Sequence, residues 1–589
     1  MRFTGLREFV NHLEKIGELH RVTVEVDPIL EITEIATRAL KGKKPALLFE
    51  KVKGSNYPLV INTLASERRI EIALGEQPDA LGAQLISFFE EAIPPSAKMF
   101  VKHRSMVRRF LSSRTTDIMI APSQEIIEKP DLNALPILQC WPQDGGRFIT
   151  LPQVFTHDPR SGKRNVGMYR MQVFDATTTG MHWQIQKGGG FHYYQADKIN
   201  KPLELAVALG TDPALLLATI APLPEGIDEA MFAGFLRRKG TQLVGGRSVS
   251  ISVPANAEFI LEGFVAPKER RSEGPFGDHF GHYSAAAEFP VFHVTAITRR
   301  KNPIYPAAVV GIPPMEDKFL GDATQKILGP LAKLLHSEIN SMWAYYEAGF
   351  HNLLVVSIEE RYQKEAMKTA LGLMGTQQLS LTKCLITVSN DVDPRNFREV
   401  LHAVRDNFDP HFDFILLPKV PLDTLDFTSY AMNLGSKMII DATKKKIKNK
   451  SRISKKTEAF IHQLAVHDRR IIATNLIADT LLLVKVKHDG AAVIRKLLKS
   501  AMLDGVKLIA AVSEDVDIHD QESYIWGVFT RFDCERDVIF TQQKLVGISP
   551  IYIGTMGIDA TWKDGYPEPL AMDNKIVKLV DNRWESYWK

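Results

Sequence analysis

Part of this 589-residue chain is written twice. His351-Asn-Leu-Leu-Val-Val-Ser-Ile358 returns as Asp479-Thr-Leu-Leu-Leu-Val-Lys-Val486, and the run Leu-Ile-Thr-Val-Ser-Asn-Asp-Val-Asp at 385–393 returns at 508–517. Phe408-Asp409 is matched by Phe532-Asp533, and Asp441-Ala-Thr443 by Asp559-Ala-Thr561. Few features restrict a fold more, because both copies must satisfy one hydrophobic pattern at every element. Each copy reads strand, helix, strand, helix, strand. The expectation is two related α/β domains, at about 350–445 and 479–565, the second followed by a tail to residue 589.

Upstream the pattern changes. Leu6, Phe9, Val10 and Leu13 share one helical face, residues 22–26 alternate like a strand, and Asp27-Pro28 opens a second helix through about Leu40. Short apolar strands follow at 46–49 and 59–62, which predicts an N-terminal α/β domain over 1–115. From 116 to 320 the signals are mainly β. Residues 215–220, 258–262 and 291–297 read as strands between turn residues, with helices around Leu203 and Ala230. Residues 316–347 read as largely helical and give a connecting helix at 321–349. A basic linker and a helix fill 446–478. The basic run at 444–456 has no interleaved aromatic residues and reads as a solvated linker rather than a nucleic-acid or membrane contact. The fold class is therefore α/β, multidomain, with a β-rich centre.

Charge excludes little and points nowhere special: a net charge of +4 makes no case for nucleic acid. Cys140, Cys384 and Cys534 are far apart, which argues against a disulfide scaffold or a cysteine zinc site. No run of signal-peptide type opens the chain and no segment has the length of a membrane span, so a cytoplasmic protein is expected.

The most informative chemistry lies in Glu273-Gly-Pro-Phe-Gly-Asp278. Pro275 fixes its own φ and the glycines allow a sharp turn, so two carboxylates can share one wall of a cleft. Burial and mutual repulsion would then separate their pKa values, one acid staying protonated to donate and the other staying charged. A second unusual segment precedes it: Asn165-Val-Gly-Met-Tyr-Arg170, then His182-Trp-Gln-Ile-Gln-Lys187-Gly-Gly-Gly190. Asn165 and Arg170 have opposite parity, so a bulge would be needed to aim both into one pocket. The glycine run lets the backbone approach a ligand and Lys187 could meet a phosphate; a flexible hairpin is the plain alternative.

With these motifs the chain resembles the UbiD-like aromatic and α,β-unsaturated acid decarboxylases, which use prenylated FMN. The match covers about Gly5 to Lys445, with Asn165 to Arg170, Asp228-Glu229-Ala-Met-Phe-Ala-Gly234, Glu273 to Asp278, and Leu434-Gly-Ser-Lys437-Met-Ile-Ile-Asp441-Ala-Thr443 in order. The resemblance implies a split β-barrel that binds the flavin at 116–320. It implies Arg170, Glu273 and Asp278 as the catalytic network, with Arg170 orienting the substrate carboxylate and Asp278 as proton donor; an ordinary buried Arg170–Glu273 ion pair is the alternative. Asn165 and Glu229 match ligands of a divalent ion, Mn²⁺ or Mg²⁺, held against the flavin phosphate, whereas an exposed helix-start acid is the plain reading of Glu229. Relatives offer a His as further ligand where this chain has Gln184 and Gln186, so Gln186 or water is left for that place. Carbonyls of Ala218, Thr219 and Ala221 match a monovalent-ion stretch, with K⁺ as the ion. Thr150, Met168, Tyr169, Arg170, His182, Trp183, Gln184, Lys187 and Gly188 complete the expected flavin bed, and Lys437 matches a lysine on the flavin phosphate. The second repeat has Thr555 in place of Lys437 and reads as a non-catalytic duplicate. His157, His279 and His282 lack a clear pairing and are expected to be structural or to support the site residues from behind.

The implied activity is non-oxidative decarboxylation of an aromatic acid. The implied substrate is a polyprenyl-hydroxybenzoate or a dihydroxynaphthoate of quinone biosynthesis. The alternatives are a reversible decarboxylase of small phenolic or unsaturated acids and a non-catalytic flavin-binding protein. The implied partners are a flavin prenyltransferase that supplies the cofactor, a membrane surface met through a lipophilic substrate, and further copies of the chain in a dimer or hexamer.

Overall fold

The computed structural model describes residues 3–92, 94–184, 188–224, 226–445 and 453–589. The chain divides into two compact units, residues 1–327 with 568–589, and residues 328–567.

The first unit opens with helix Leu6–Lys15, whose Leu6, Phe9, Val10 and Leu13 are buried as their spacing requires. A four-stranded sheet follows in the order Leu19–Val22, Ala46–Phe49, Leu59–Ile61, Tyr305–Ala307. The first strand ends where the alternating run at 22–26 was expected to begin; Val26 makes only an isolated bridge to Val52. The second helix is Glu31–Lys41, starting beyond Asp27, whose carboxylate accepts from the Ile29 N–H.

The β-rich centre is a seven-stranded antiparallel sheet. Its path runs Thr178–Gly180, Ala287–Arg299, Phe259–Glu273, Leu203–Leu209, Gln153–His157, Arg164–Met168, with Ile126–Glu128 added beside Ala287–Arg299. Among the described residues this path is open at both ends, so the pairings do not trace the split barrel. Two elements differ from the sequence reading. Residues 215–220 lie in a helix, Pro213–Ile220, because Asp212 caps it by accepting from the N–H of Ala214 and Leu215, and Pro213 is preset for the first turn. The segment at Leu203 is a strand despite its helix-favouring Leu, Glu and Ala, since partners on both sides claim its backbone bonds.

The expected connecting helix is shorter than its segment. Helix Glu316–Leu328 is followed by a 3₁₀ turn and then by strand Ile339–Ala344, the edge strand of the next sheet. In the second unit that sheet has the order Ile339–Ala344, Leu353–Ile358, Cys384–Ser389, Gly435–Ala442, Phe414–Val420. Its twin runs Ile471–Ile477, Leu481–Val486, Leu508–Val512, Ser549–Ala560, Val538–Val546 in the same spatial order. Each repeat therefore owns an antiparallel edge strand upstream of the segments that match in sequence. Register equates Lys437 with Thr555, since their successors Met438 and Met556 face Cys384 and Leu508. Phe414 packs on Phe540 and Tyr552 with ring centres 4.9 and 5.0 Å apart, joining the two copies.

The tail at 568–589 belongs with the first unit rather than with the second repeat. Helix Asn574–Arg583 carries Arg583, which pairs with buried Glu31 at 2.6 Å, and Tyr587 donates to the same carboxylate at 2.7 Å. No helix among the described residues is long and apolar enough to cross a membrane.

Candidate functional site

The long strand Phe259–Glu273 delivers Glu273 at its last position, and Gly274 takes φ +99, a value that β-carbon side chains rarely adopt. The chain then makes a small hairpin, Phe276–Gly277 on Tyr283–Ser284, with Asp278 at the head of its loop. Two side chains hold this turn from below. Gln172 accepts from the Gly274 N–H at 2.7 Å, and Asp144 accepts from the Gly277 N–H at 2.7 Å while its other oxygen takes the N–H groups of Trp141 and Cys140. Burial pushes Asp144 up to about 6, against those hydrogen bonds. From the side, the tail adds an edge: Leu570 N–H donates to Gly281 at 2.9 Å and Tyr283 N–H to Glu568 at 3.4 Å. Leu570 is itself buried.

Arg170 lies between the two acids. Its Nε donates to Glu273 Oε1 at 3.1 Å, Nη1 pairs with Asp278, and the guanidinium sits 4.7 Å above the Phe276 ring. Nη2 is 3.0 Å from Glu273 Oε1, yet out of hydrogen-bonding geometry, so a buried donor is left over. No bulge is needed to place Arg170. The strand carrying Asn165 ends at Met168, and Arg170 falls in the break before Met171–Gln172.

The charge state of the pair differs from the one expected. Glu273 is fully buried, which raises its pKa, but hydrogen bonds from His182 and Arg170 outweigh burial and hold it below the usual carboxylate range. Asp278 is treated likewise: burial raises it, while His279 and Arg170 together hold it well below that range. Both acids are ionised at rest. Mutual repulsion does not keep one protonated, because a guanidinium stands between them. Burial and the Arg170 charge keep His182 below its ordinary pKa, so it is neutral near pH 7. Its Nδ1 lies 2.9 Å from ionised Glu273, which assigns the proton to that nitrogen. His279, expected to be structural or to support the site residues from behind, touches the acid pair: its Nδ1 is 2.8 Å from Asp278 Oδ1. Asp317, absent from the sequence reading, is pushed up to about 6 by burial and feels both His279 and Asp278. His282 is buried and bonded locally to the Phe280 carbonyl.

Of the expected phosphate and metal residues, Asn165 and Glu229 come together in a second cluster. Glu229 opens helix Glu229–Arg237, and its Oε2 accepts from the Val166 N–H, next to Asn165. It is part-buried rather than exposed, and burial pushes it up to about 7. Asn165 Nδ2 is buried without a hydrogen-bond partner, and since amide ends are interchangeable in assignment, an orphaned acceptor fits that place equally. A β-carbon on Gly188 would lie 2.0 Å from Asn165 Oδ1, so only glycine admits this approach. Helix Gly188–Lys198 starts there, and Trp183 Nε1 beside Gly189 is also buried and unpartnered. Orphaned polar atoms at a helix start, beside an acid, fit a phosphate with a hard cation, and Asn165 and Glu229 would hold that ion. Among the described residues no three His, Cys, Asp or Glu gather as a metal cluster. Gln186 and Lys187 lie outside the described residues.

The remaining flavin-bed residues are placed as follows. Tyr169 is buried, with its hydroxyl pushed up to about 12 by burial and accepting from Gly189 N–H at 3.1 Å. Thr150 Oγ1 accepts from Ala308 N–H at 3.0 Å. Met168 faces Gln153 in the sheet, the Trp183 ring packs at a tilt with its centre 5.1 Å from that of Tyr193, and Gln184 is part-buried. Ala218, Thr219 and Ala221 sit at the C-terminus of helix Pro213–Ile220, where carbonyls carry partial negative charge suited to a monovalent cation. Lys437 is in the second unit, buried in strand Gly435–Ala442, its amine bonded to the Ser380 carbonyl and pushed down to about 8 by burial.

Comparison with known proteins gives a consistent result across the chain. Residues 10–89, 116–313, and 318–442 with 458–560 match the models of the N-terminal, Rift-related and C-terminal domains of 3-octaprenyl-4-hydroxybenzoate carboxy-lyase. An uncharacterized protein of Archaeoglobus fulgidus is 48% identical over 76% of this chain and 92% of its own. A 4-hydroxybenzoate decarboxylase component of Chlamydia pneumoniae is 34% identical over 99% of this chain and 98% of its own. Among solved structures, the closed form of vanillic acid decarboxylase from Sedimentibacter hydroxybenzoicus superposes with a TM-score of 0.68 at 29% identity, covering 75% of this chain and 93% of that one.

Proposed function

The chain belongs to the UbiD family of prenylated-FMN-dependent carboxy-lyases, and from that premise we propose that it removes carbon dioxide from an aromatic acid at the Arg170–Glu273–Asp278 network. The observation that carries this reading is the buried Arg170 with an uncommitted Nη2 between two ionised carboxylates. A guanidinium so placed has one donor free for a substrate carboxylate and stays charged when desolvated. Asn165 and Glu229 would hold the cofactor's phosphate through a divalent ion, and the flavin, when bound, supplies the electron sink that no side chain offers.

The residues then divide the work. Arg170 orients the acid, with Glu273 and neutral His182 fixing its guanidinium. Loss of carbon dioxide requires one proton at the vacated ring carbon, and Asp278 is the acid assigned to deliver it. Ionised at rest, Asp278 must first be loaded, and His279 at 2.8 Å, with Asp317 beyond, gives a route for that proton.

The substrate we favour is a polyprenyl-hydroxybenzoate or a dihydroxynaphthoate of isoprenoid-quinone synthesis. A second reading, a small phenolic acid, is favoured by the names of two relatives, a 4-hydroxybenzoate decarboxylase component and a vanillic acid decarboxylase. A panel of both acid classes, offered to cofactor-loaded protein and followed by carbon dioxide release, tests the proposal. Release from quinone precursors alone supports the first reading, release from vanillate or 4-hydroxybenzoate the second, and release from neither class overturns the aromatic-acid assignment.

A further inference from the structure

The loop that presents Asp278 is held partly by itself and partly by the far end of the chain. Asp278 N–H donates to the His282 carbonyl at 3.1 Å, and Gly281 N–H donates to the Asp278 carbonyl at 2.9 Å. The tail takes the outer side of this loop. Besides the bonds at Gly281 and Tyr283, His282 and Pro569 form a β-bridge. Glu568 is tied down in turn: its carboxylate accepts from Gln143 Nε2 at 2.8 Å, and the Gln143 N–H donates to the Tyr283 hydroxyl at 3.3 Å. Glu568 is also where the chain re-enters the first unit, the second ending at Pro567.

The Leu570 side chain lies between two glycines. A β-carbon on Gly277 would fall 2.9 Å from Leu570 Cδ2, and one on Gly311 would fall 3.5 Å from Leu570 Cδ1. Trp141 completes the wedge, at 2.1 Å from the first of these places and 2.7 Å from the second, with its Nε1 donating to the Val310 carbonyl at 2.9 Å. Gly277 immediately precedes Asp278. Gly311 stands on the segment leading into helix Glu316–Leu328, whose first turn carries Asp317. One leucine thus packs against both backbones whose acids the proton route joins. Leu570 is buried, and in a close-packed interior neither backbone shifts without moving it.

We infer that Leu570 is a positioning residue for the loading of Asp278. It fixes the spacing of the two backbones, and with it the path of the proton from Asp317 through His279. The inference rests on the decarboxylase reading above. The tail backbone holds the outer side of the loop, while the Leu570 side chain sets how closely the loop approaches the Gly311 segment. A misplacement of about 1 Å can cost on the order of 10²-fold in rate. A gap at Leu570 alters no group that meets the substrate, so turnover falls while binding of the acid is kept.

The test compares full-length Leu570→Ala with wild type and with Leu579→Ala, which alters an exposed leucine of the tail helix. Amide exchange of residues 276–284, followed by mass spectrometry without cofactor, should quicken about tenfold or more in Leu570→Ala and keep the wild-type rate in the control. In cofactor-loaded protein, kcat for carbon dioxide release should fall about tenfold or more in Leu570→Ala, with KM within about twofold of the parent. The solvent deuterium isotope effect on kcat should rise, and Leu570→Met, close in volume, should restore the parent values. If Leu570→Ala does not fold, Leu570→Val is measured in its place. Unchanged exchange overturns the inference, as does turnover near the parent rate or a rise in KM alone. Wild type that releases no carbon dioxide from any acid counts instead against the decarboxylase reading, and the exchange measurement then still decides whether Leu570 holds the loop.

Discussion

Replacing Arg170 by methionine isolates the charge at the centre of the acid pair. Methionine fills much the same volume and keeps contact with the Phe276 ring, now through sulfur, so packing is largely preserved. What is lost is the guanidinium shared by Glu273, fully buried, and Asp278, about one-tenth exposed. Breaking a buried pair by removing one partner costs about 3–5 kcal/mol. At a few degrees per kcal/mol, less for a large unit, the melting temperature should fall on the order of 5 °C at pH 8. The sign with pH is distinctive. In the wild type both folded pKa values are lowered, so the pair contributes stability above about pH 4–4.5, which is lost as pH falls through the folded values. Without Arg170 the lowering that remains comes from His182 and His279, so both pKa values rise from their wild-type positions and the pH-dependent stability they contribute shrinks. The gap between wild type and Arg170→Met should therefore be smaller at pH 4 than at pH 8. Calorimetric scans across that range measure it directly, with no cofactor or substrate. A gap independent of pH, or none at pH 8, would refute the electrostatic account of the network.

Three further outcomes follow from the same geometry. Asp278→Asn should lower turnover by on the order of 10²–10⁴ while flavin retention stays near wild type, since Asp278 touches the acid network and not the phosphate cluster; turnover close to the parent rate would move the donor role to Glu273. Glu229→Ala should release both divalent metal and flavin, read by metal analysis and visible absorption, and undiminished content of either would remove Glu229 from the ligand set. Cofactor titration should saturate at one flavin per chain, because Thr555 spends its hydroxyl on the Val506 carbonyl where the first repeat has a lysine, and two per chain would contradict that.

The acid turn and Arg170 were legible because few residues do what they do: paired carboxylates around Gly-Pro, and a lone arginine upstream, define a chemistry before a geometry. The repeat was legible because strands in the middle of a sheet are apolar in both copies. Its two edge strands, Ile339–Ala344 and Ile471–Ile477, were not, since edge positions are half exposed and carry no shared pattern. The helix at 213–220 escaped because a short apolar run is ambiguous between buried strand and helix, and only its Asp-Pro start decides. Asp144, His279 and Asp317 could not be found by spacing at all. Asp144 acts through backbone N–H groups 133 residues away at Gly277, and Asp317 through a charge field. The ionisation of the pair was misjudged for one reason: a sequence shows two acids near each other but not the cation that folding sets between them.

The segment 568–570 that edges the Asp278 loop has a consequence for biosynthesis. Asp278 leaves the ribosome about 290 residues ahead of Leu570. At about 5–20 residues per second, that is roughly 15–60 s during which the loop lacks its neighbouring segment. The edge of that loop is thus closed last, after the whole second unit has been made. A nascent or prematurely ended chain carries Arg170, Glu273 and Asp278 and still lacks the segment that edges the Asp278 loop.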